Sequence, residues 1–414
     1  VLRRGPALEV LQDVLRETGA AGVMWGRCYE PYAIDRDMAI KKALQADGKI
    51  AESHNTGLLF EPWEVQNKSG KPFQVFTPFW KHCLASPTQP AKPLPAPAAF
   101  KTAPAKSDTL NDWAFLPTAP DWAGGMRASW TPGEAGAQQR LTDFIAGAIN
   151  GYKERRNNPG EQFTSRLSPH LHWGEISPRQ IWHAVHVAEA AGKVRNESDS
   201  THFLSEIGWR EFSHHLLYHF PTLPTEPLNK KFAAFPWNTN AAEVATDLTA
   251  WQRGLTGYPI VDAGMRELWE TGWMHNRVRM IVGSFLVKDL LIPWQEGEAW
   301  FWDTLADADL ANNTAGWQWI AGCGADAAPY FRVFNPVLQG EKFDPEGTYI
   351  RRYIPELESM PDKYIHRPWE APADVLRKAG VALGRTYPQP LVDHNVARNR
   401  ALAAFAALKE NDLA

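Results

Sequence analysis

The sequence predicts a parallel α/β layer followed by an all-helical domain, and three observations carry that prediction. Residues 1–84 alternate strand-like and helix-like patterns, the signature of a parallel α/β unit. Residues 84–120 hold eight prolines among Ala, Ser and Lys with no apolar period, the composition of an extended connector. From about residue 138 the apolar spacing is helical almost to the end. At roughly 150 residues per domain, 414 residues make two or three. The expected organisation is a partial α/β domain (1–84), a proline-rich linker (85–137) and a large helical domain (138–414).

Taken in order, residues 7–18 repeat apolar groups at helical spacing and stop at Gly19. Val23-Met24-Trp25 reads as a short buried strand, 35–46 as a helix, and 50–53 and 58–60 as further short strands. Only about half of a doubly wound domain is present, so the sheet reads as truncated at its start. A chain opening on Val1 is expected to begin inside that domain. In the helical part, Ser168-Pro169 and Ser177-Pro178 each pair a capping serine with a proline suited to the first helical position. Helices are expected over 201–220 (ended by Pro221), 258–271, 273–291 and 397–409. There is no internal repeat.

Composition narrows the function classes. Hydrophobic residues at 44% and charged residues at 22% exclude wholesale disorder. Cys28, Cys83 and Cys323 are odd in number and far apart. They cannot form a disulfide framework or a cysteine zinc cluster, and they fit a reducing, cytoplasmic compartment. The longest apolar stretch, 280–292, is broken by Lys288 and Asp289 and is too short to cross a bilayer. Arg3 and Arg4 lead into an amphipathic helix rather than a signal peptide. A net charge of -4 excludes a nucleic-acid binder dominated by bulk charge and leaves room for a local basic patch. The 19 tryptophans are unusual; they mean either a thick helical core or a role in stacking or photochemistry.

Three constellations stand out. Glu206, Trp209, Arg210 and Ser213 share one helix face. As a surface stripe this would be an ordinary i,i+4 ion pair worth about 0.3 kcal/mol. With an indole between the charges, it also suits a flat ligand with polar edges. Trp273, Asn276, Arg277 and Met280 repeat the theme, with Arg279 beside them, and Asn and Arg are side chains that read base edges or hold phosphate. Thr164-Ser165-Arg166-Leu167-Ser168 places hydroxyls and a guanidinium before a proline-initiated helix, either a phosphate cradle or a capping segment. The acids near 307–309 lack the glycine and later glutamate of a calcium loop, and His214, His215 and His219 form no H-E-x-x-H pattern. No metal is expected.

Long motifs in one order give these pieces a family. T-S-R-L-S (164–168), W-R-E-F (209–212), G-Y-P-I-V-D-A-G-M-R (257–266), W-M-H-N-R-V-R-M (273–280), residues 307–319 and A-P-Y-F-R-V-F-N-P-V-L-Q-G-E-K-F (328–343) together resemble the photolyase/cryptochrome family, most of all its cyclobutane pyrimidine dimer photolyases. The likeness covers essentially the whole chain, except that the family's opening strand and its W-F-R-x-D-L-R stretch are absent. It implies FAD buried in the helical domain. Tyr152 and Thr164, Ser165, Arg166, Leu167 and Ser168 would hold its diphosphate and ribose side. Phe203, Arg210, Arg279, Asp307, Ala308, Asp309 and Asn313 would surround the rest, with Asn313 facing the flavin N5, where plant cryptochromes carry Asp.

The resemblance also implies light-driven repair of damaged DNA. Trp209 and Trp319 would flank a flipped-out dimer, Glu206 and Asn276 would bond its polar edges, and Met280 would pack on it. Arg156, Arg277, Arg332, Gln339 and Lys342 would meet the DNA backbone. Trp317, Trp294 and Trp237 match the family's electron-transfer chain. A second, antenna chromophore of folate or deazaflavin type is expected between the domains, its identity not legible in these residues. The protein is expected to act as a monomer with no obligate protein partner and no membrane. The rivals are a cryptochrome photoreceptor, disfavoured by Trp209, Met280 and Asn313, and a (6-4) photolyase, whose lesion-site histidine has no match here. A non-catalytic flavoprotein or helical nucleic-acid scaffold is the third.

Overall fold

The structure is a computed structural model that describes residues 1–87, 90–99, 101–327 and 331–410. Its N-terminal part is the expected α/β unit. Helix Ala7–Thr18 ends on Gly19, whose left-handed backbone (φ 68°) closes the last turn. Strands Gly22–Gly26 and Ile50–His54 pair in parallel, Gly22 opposite Ile50 through Gly26 opposite His54, with helix Pro31–Ala46 as the crossover. Among the described residues the sheet has these two strands.

Two details differ from expectation. The 23–25 strand forms but is not buried: Met24 is 65% and Ile50 50% exposed, while the other face packs on Leu15, Ile40, Leu44 and Ala51. Residues 58–60 make no strand. Their amides go elsewhere, Leu59 and Phe60 both donating to the Glu211 carboxylate (2.9 and 3.1 Å), so no ladder is left to form.

The connector is tied down and partly helical. Leu2 exchanges hydrogen bonds with Ser107 and Asp108, a short helix spans Gly124–Ser129, and helix Glu134–Ala146 starts a little before residue 138 behind Gly133 (φ 98°). Its stripe Ala137, Leu141 and Phe144 is buried.

The longest helix, Glu197–His219, is the scaffold of the helical part. It begins earlier than expected because the Asn196 side chain accepts the Ser198 amide and opens a first turn of polar residues. The expected 273–291 helix is broken differently. His275 caps helix Asn276–Ser284, which then widens into a π turn over Phe285–Asp289. Ser177 opens helix Pro178–Ala190 with a full capping box. Ser168 does not cap: its hydroxyl is taken by the Trp273 indole N–H (3.2 Å), and the following helix is a single turn, Ser168–His172, behind Leu167. The closing helix runs His394–Glu410.

Helix Leu310–Ala321 packs against both Glu197–His219 and helix Trp294–Thr304. Gly297 makes the second contact close, since a Cβ there would lie 2.1 Å from the Trp317 ring. The N-terminal part docks through helix Phe76–Leu84, which crosses Glu197–His219. Trp80 lies over Gly208, where a Cβ would sit 2.6 Å from the indole. Among the described residues, no helix is long and apolar enough to cross a membrane.

Candidate active site

Several helices and the 164–168 loop line a cavity of about 760 Å³, a size suited to a large cofactor or ligand. The two faces singled out in the sequence both open onto it: Glu206, Trp209, Arg210 and Ser213 from helix Glu197–His219, and Asn276, Arg277, Arg279 and Met280 from helix Asn276–Ser284, with Trp273 just before it. The third wall carries Asp307, Ala308, Asp309, Asn313, Trp317 and Trp319. Tyr152, Arg156, Phe203 and the whole 164–168 loop complete it, with Arg332 also on the lining. Residues scattered over nearly two hundred positions thus share one hollow.

Several of its charges are paired. Arg279 donates to both oxygens of Asp307 (2.8 and 3.1 Å) and to the Met274 carbonyl (2.8 Å), and the Asp307 side chain is only 4% exposed. Burial alone would raise the Asp309 carboxyl. His214, 3.4 Å away, and Arg210 instead hold it well below the usual carboxylate range, with the Asn312 amide also bonded to it. Arg156, expected at the DNA backbone, is an ion-pair partner of Glu206 on the cavity wall. Arg277 is held by Asn157 (2.8 Å), lies 4.5 Å over the Phe343 ring and touches the Met280 sulfur at 3.7 Å. Asn313 donates to the Glu298 carbonyl (2.9 Å). The Glu298 carboxyl, hydrogen-bonded to Thr314, is pushed up to about 7 by burial.

The 164–168 loop supplies the test for a bound FAD. Arg166 adopts a left-handed backbone (φ 51°), a conformation that non-glycine residues hold mostly where surrounding structure imposes it. Its guanidinium is sandwiched 4.7 Å from the rings of Trp130 and Trp273, and its Nε is buried with no partner. A fixed guanidinium with an unpaired donor, beside the hydroxyls of Thr164 and Ser165, suits a diphosphate. The Arg279–Asp307 pair offers a donor and an acceptor side by side to the polar edge of a ring system. These residues fit FAD. The helix turn after the loop is too short to add a useful dipole.

The remaining expected residues sit at the cavity's edge or beyond it. Trp317, although on the lining, is 2% exposed with ring contacts to Phe301 (5.0 Å) and Trp251 (6.2 Å). Trp294 is equally buried in the same core, and Trp237 packs at its edge against Phe235 (4.5 Å). Arg332 lies 5.9 Å from the Trp319 ring. Lys342 rests by Phe343, and Gln339 lines a separate cavity with His394 and Arg398. Of the 328–343 motif, Ala328, Pro329 and Tyr330 lie outside the described residues. Asn312, Phe301 and Phe76 were missed. Asn312 could have been noticed as part of the N-N-T stretch. Phe76 could not, because its contact with Trp209 joins segments remote in sequence.

Comparison with known proteins gives the chain a family. The FAD binding domain of DNA photolyase matches residues 203–407, and the DNA photolyase domain matches residues 1–98. The chain is 53% identical over 415 residues to a deoxyribodipyrimidine photo-lyase of Agrobacterium fabrum, covering 99% of this chain and 84% of that protein. It is 40% identical to cryptochrome-1 of Arabidopsis thaliana, over 96% of this chain and 59% of that protein. The crystal structure of a bacterial class III photolyase from Agrobacterium tumefaciens superposes with a TM-score of 0.90 at 52% identity, covering 98% of this chain and 83% of that one. With these family matches and a relative 53% identical over nearly its whole length, the chain belongs to the DNA photolyase family.

Proposed function

We propose that the protein repairs cyclobutane pyrimidine dimers in DNA by a light-driven reaction. One observation supports the reading above all: Glu206, Trp209, Asn276 and Met280, the groups that would receive a dimer, share a single cavity with the Arg279–Asp307 pair and Asn313, the groups that would hold a flavin. When bound, FAD would be held by Arg166, Arg279, Asp307 and Asn313 and would supply light-driven electron donation with no net redox change.

The chain's own residues do the rest. A dimer leaves the base stack at a cost of a few kcal/mol, less than an intact pair would need. Trp209 and Trp319 take up its ring faces, an interaction worth about 1–3 kcal/mol per base and indifferent to sequence. Glu206, oriented by Arg156, and Asn276 satisfy the polar edges, while Met280 supplies adaptable apolar contact. Arg277, Arg332, Gln339 and Lys342 meet the backbone, a local patch compatible with a net charge of -4. Asn313 is a neutral amide and has no proton to give at the flavin N5, which suits chemistry run on the anionic reduced cofactor. Trp317, Trp294 and Trp237 form the route by which electrons reach an oxidised cofactor from the surface. An antenna chromophore, of folate or deazaflavin type, completes the reading.

The test compares wild type with Glu206→Ala on dimer-containing DNA under blue light. A clear loss of repair with FAD retained is expected, because a polar edge left unpaired in a closed site is costly. Undiminished repair by the variant would refute the assignment of Glu206. A flavin spectrum without repair by wild type would favour the cryptochrome reading.

A further inference from the structure

Trp209 has two faces, and one of them is already covered. Phe76, the first residue of helix Phe76–Leu84, lies flat on the indole with ring centroids 3.8 Å apart and planes at 9°. Aromatic pairs usually sit about 4.5–7 Å apart, offset or edge-on. This pair is closer and nearly parallel, so it closes that face to any ligand. Phe76 is itself wedged in place, edge-on to Phe212 at 6.0 Å and parallel to Trp80 at 6.5 Å. Its amide lies near the carboxyl of Asp326, which also lines the cavity. The rest of its helix is anchored on the same scaffold: Trp80 over Gly208, and Phe79 against Phe212 and His215, both at 5.1 Å. On Trp209's own helix, Phe212 meets the indole at 5.9 Å with planes at 72°, a perpendicular contact rather than a flat one. The parallel contact on the indole comes from the N-terminal segment.

We propose that Phe76 is a positioning residue for lesion binding: by stacking on the buried face of Trp209 it holds the indole so that its single open face receives the flipped pyrimidine dimer, which makes lesion recognition depend on the docked N-terminal segment. The proposal rests on the reading of Trp209 as the stacking group for the dimer. It assigns no contact between Phe76 and DNA.

The test is binding in the dark, so that no catalytic turnover enters. The probes are a duplex carrying one thymine cyclobutane dimer and the same duplex undamaged. Phe76→Leu keeps apolar volume but loses the flat ring, and Phe76→Tyr keeps the ring. Phe76→Leu is expected to weaken dimer-duplex binding about two- to tenfold, the range of an aromatic pair's specific contribution, with undamaged-duplex binding unchanged. Phe76→Tyr should stay within about twofold of wild type, and Phe76→Leu should add nothing in a Trp209→Ala background. Should Phe76→Leu fail to fold, Phe76→Met carries the same comparison. Equal loss for both duplexes, or full dimer affinity in a folded Phe76→Leu protein while Trp209→Ala loses it, would overturn the proposal. If Trp209→Ala itself keeps full dimer affinity, the underlying reading of Trp209 fails first.

Discussion

Replacing Glu298 by Gln should stabilise the protein at alkaline pH and do so much less at acid pH. Glu298 is 9% exposed, its carboxyl bonded to Thr314 and facing no cation. Burial pushes it up to about 7 from an ordinary 4.5, opposed only by the Thr314 hydrogen bond. A group whose carboxyl binds its proton more tightly when folded favours the folded state at low pH. That advantage fades as pH rises from about 4.5 through 7, and above 7 the buried anion costs about 3 kcal/mol relative to the neutral form. Gln cannot ionise and can still accept from Thr314. Denaturant unfolding of flavin-free protein at pH 5, 6.5 and 8 checks this, the cofactor being omitted so that its binding adds no stability. The stability gained through Glu298→Gln should rise from about 1 kcal/mol at pH 5 to about 3 kcal/mol at pH 8. A difference independent of pH would refute the reasoning, because it would mean that Glu298 does not titrate in that range.

Two further outcomes follow from the same geometry. Gly297→Ala drives a methyl into the Trp317 ring, which Trp251 and Phe301 keep from retreating; a loss of about 1–3 kcal/mol is expected by denaturant unfolding, despite alanine's better helix propensity. Arg279→Leu leaves the Asp307 carboxylate, 4% exposed, without its partner; a loss of up to about 3 kcal/mol is expected, together with a lower flavin-to-protein absorbance ratio after purification.

The helical half was legible in the sequence because its signals are local. Capping at Ser177 and the one-face spacing of Glu206, Trp209 and Arg210 depend on neighbours within a turn or two. Spacing could say that Glu206 and Asn276 each face one way. It could not say that they face the same hollow; the long motifs carried that step. What escaped depends on distant partners. Residues 58–60 look like a strand until Glu211 claims their amides. Ser168 looks like a cap until Trp273 takes its hydroxyl. Arg156 pairs with Glu206, a contact between segments that no local spacing rule gives. Phe76 carries no signal at all without the fold that lays it on Trp209. The short π turn at 285–289 was also invisible, since its apolar pattern continues that of the helix before it.

The account is tested most directly by illuminating FAD-loaded protein with a duplex containing one thymine dimer and counting restored thymines against a dark control. Restoration in the light alone, with catalytic turnover, is the predicted result. A flavin-replete protein that binds the lesion yet restores no thymine under blue light would contradict the claim that one cavity brings donor and dimer together.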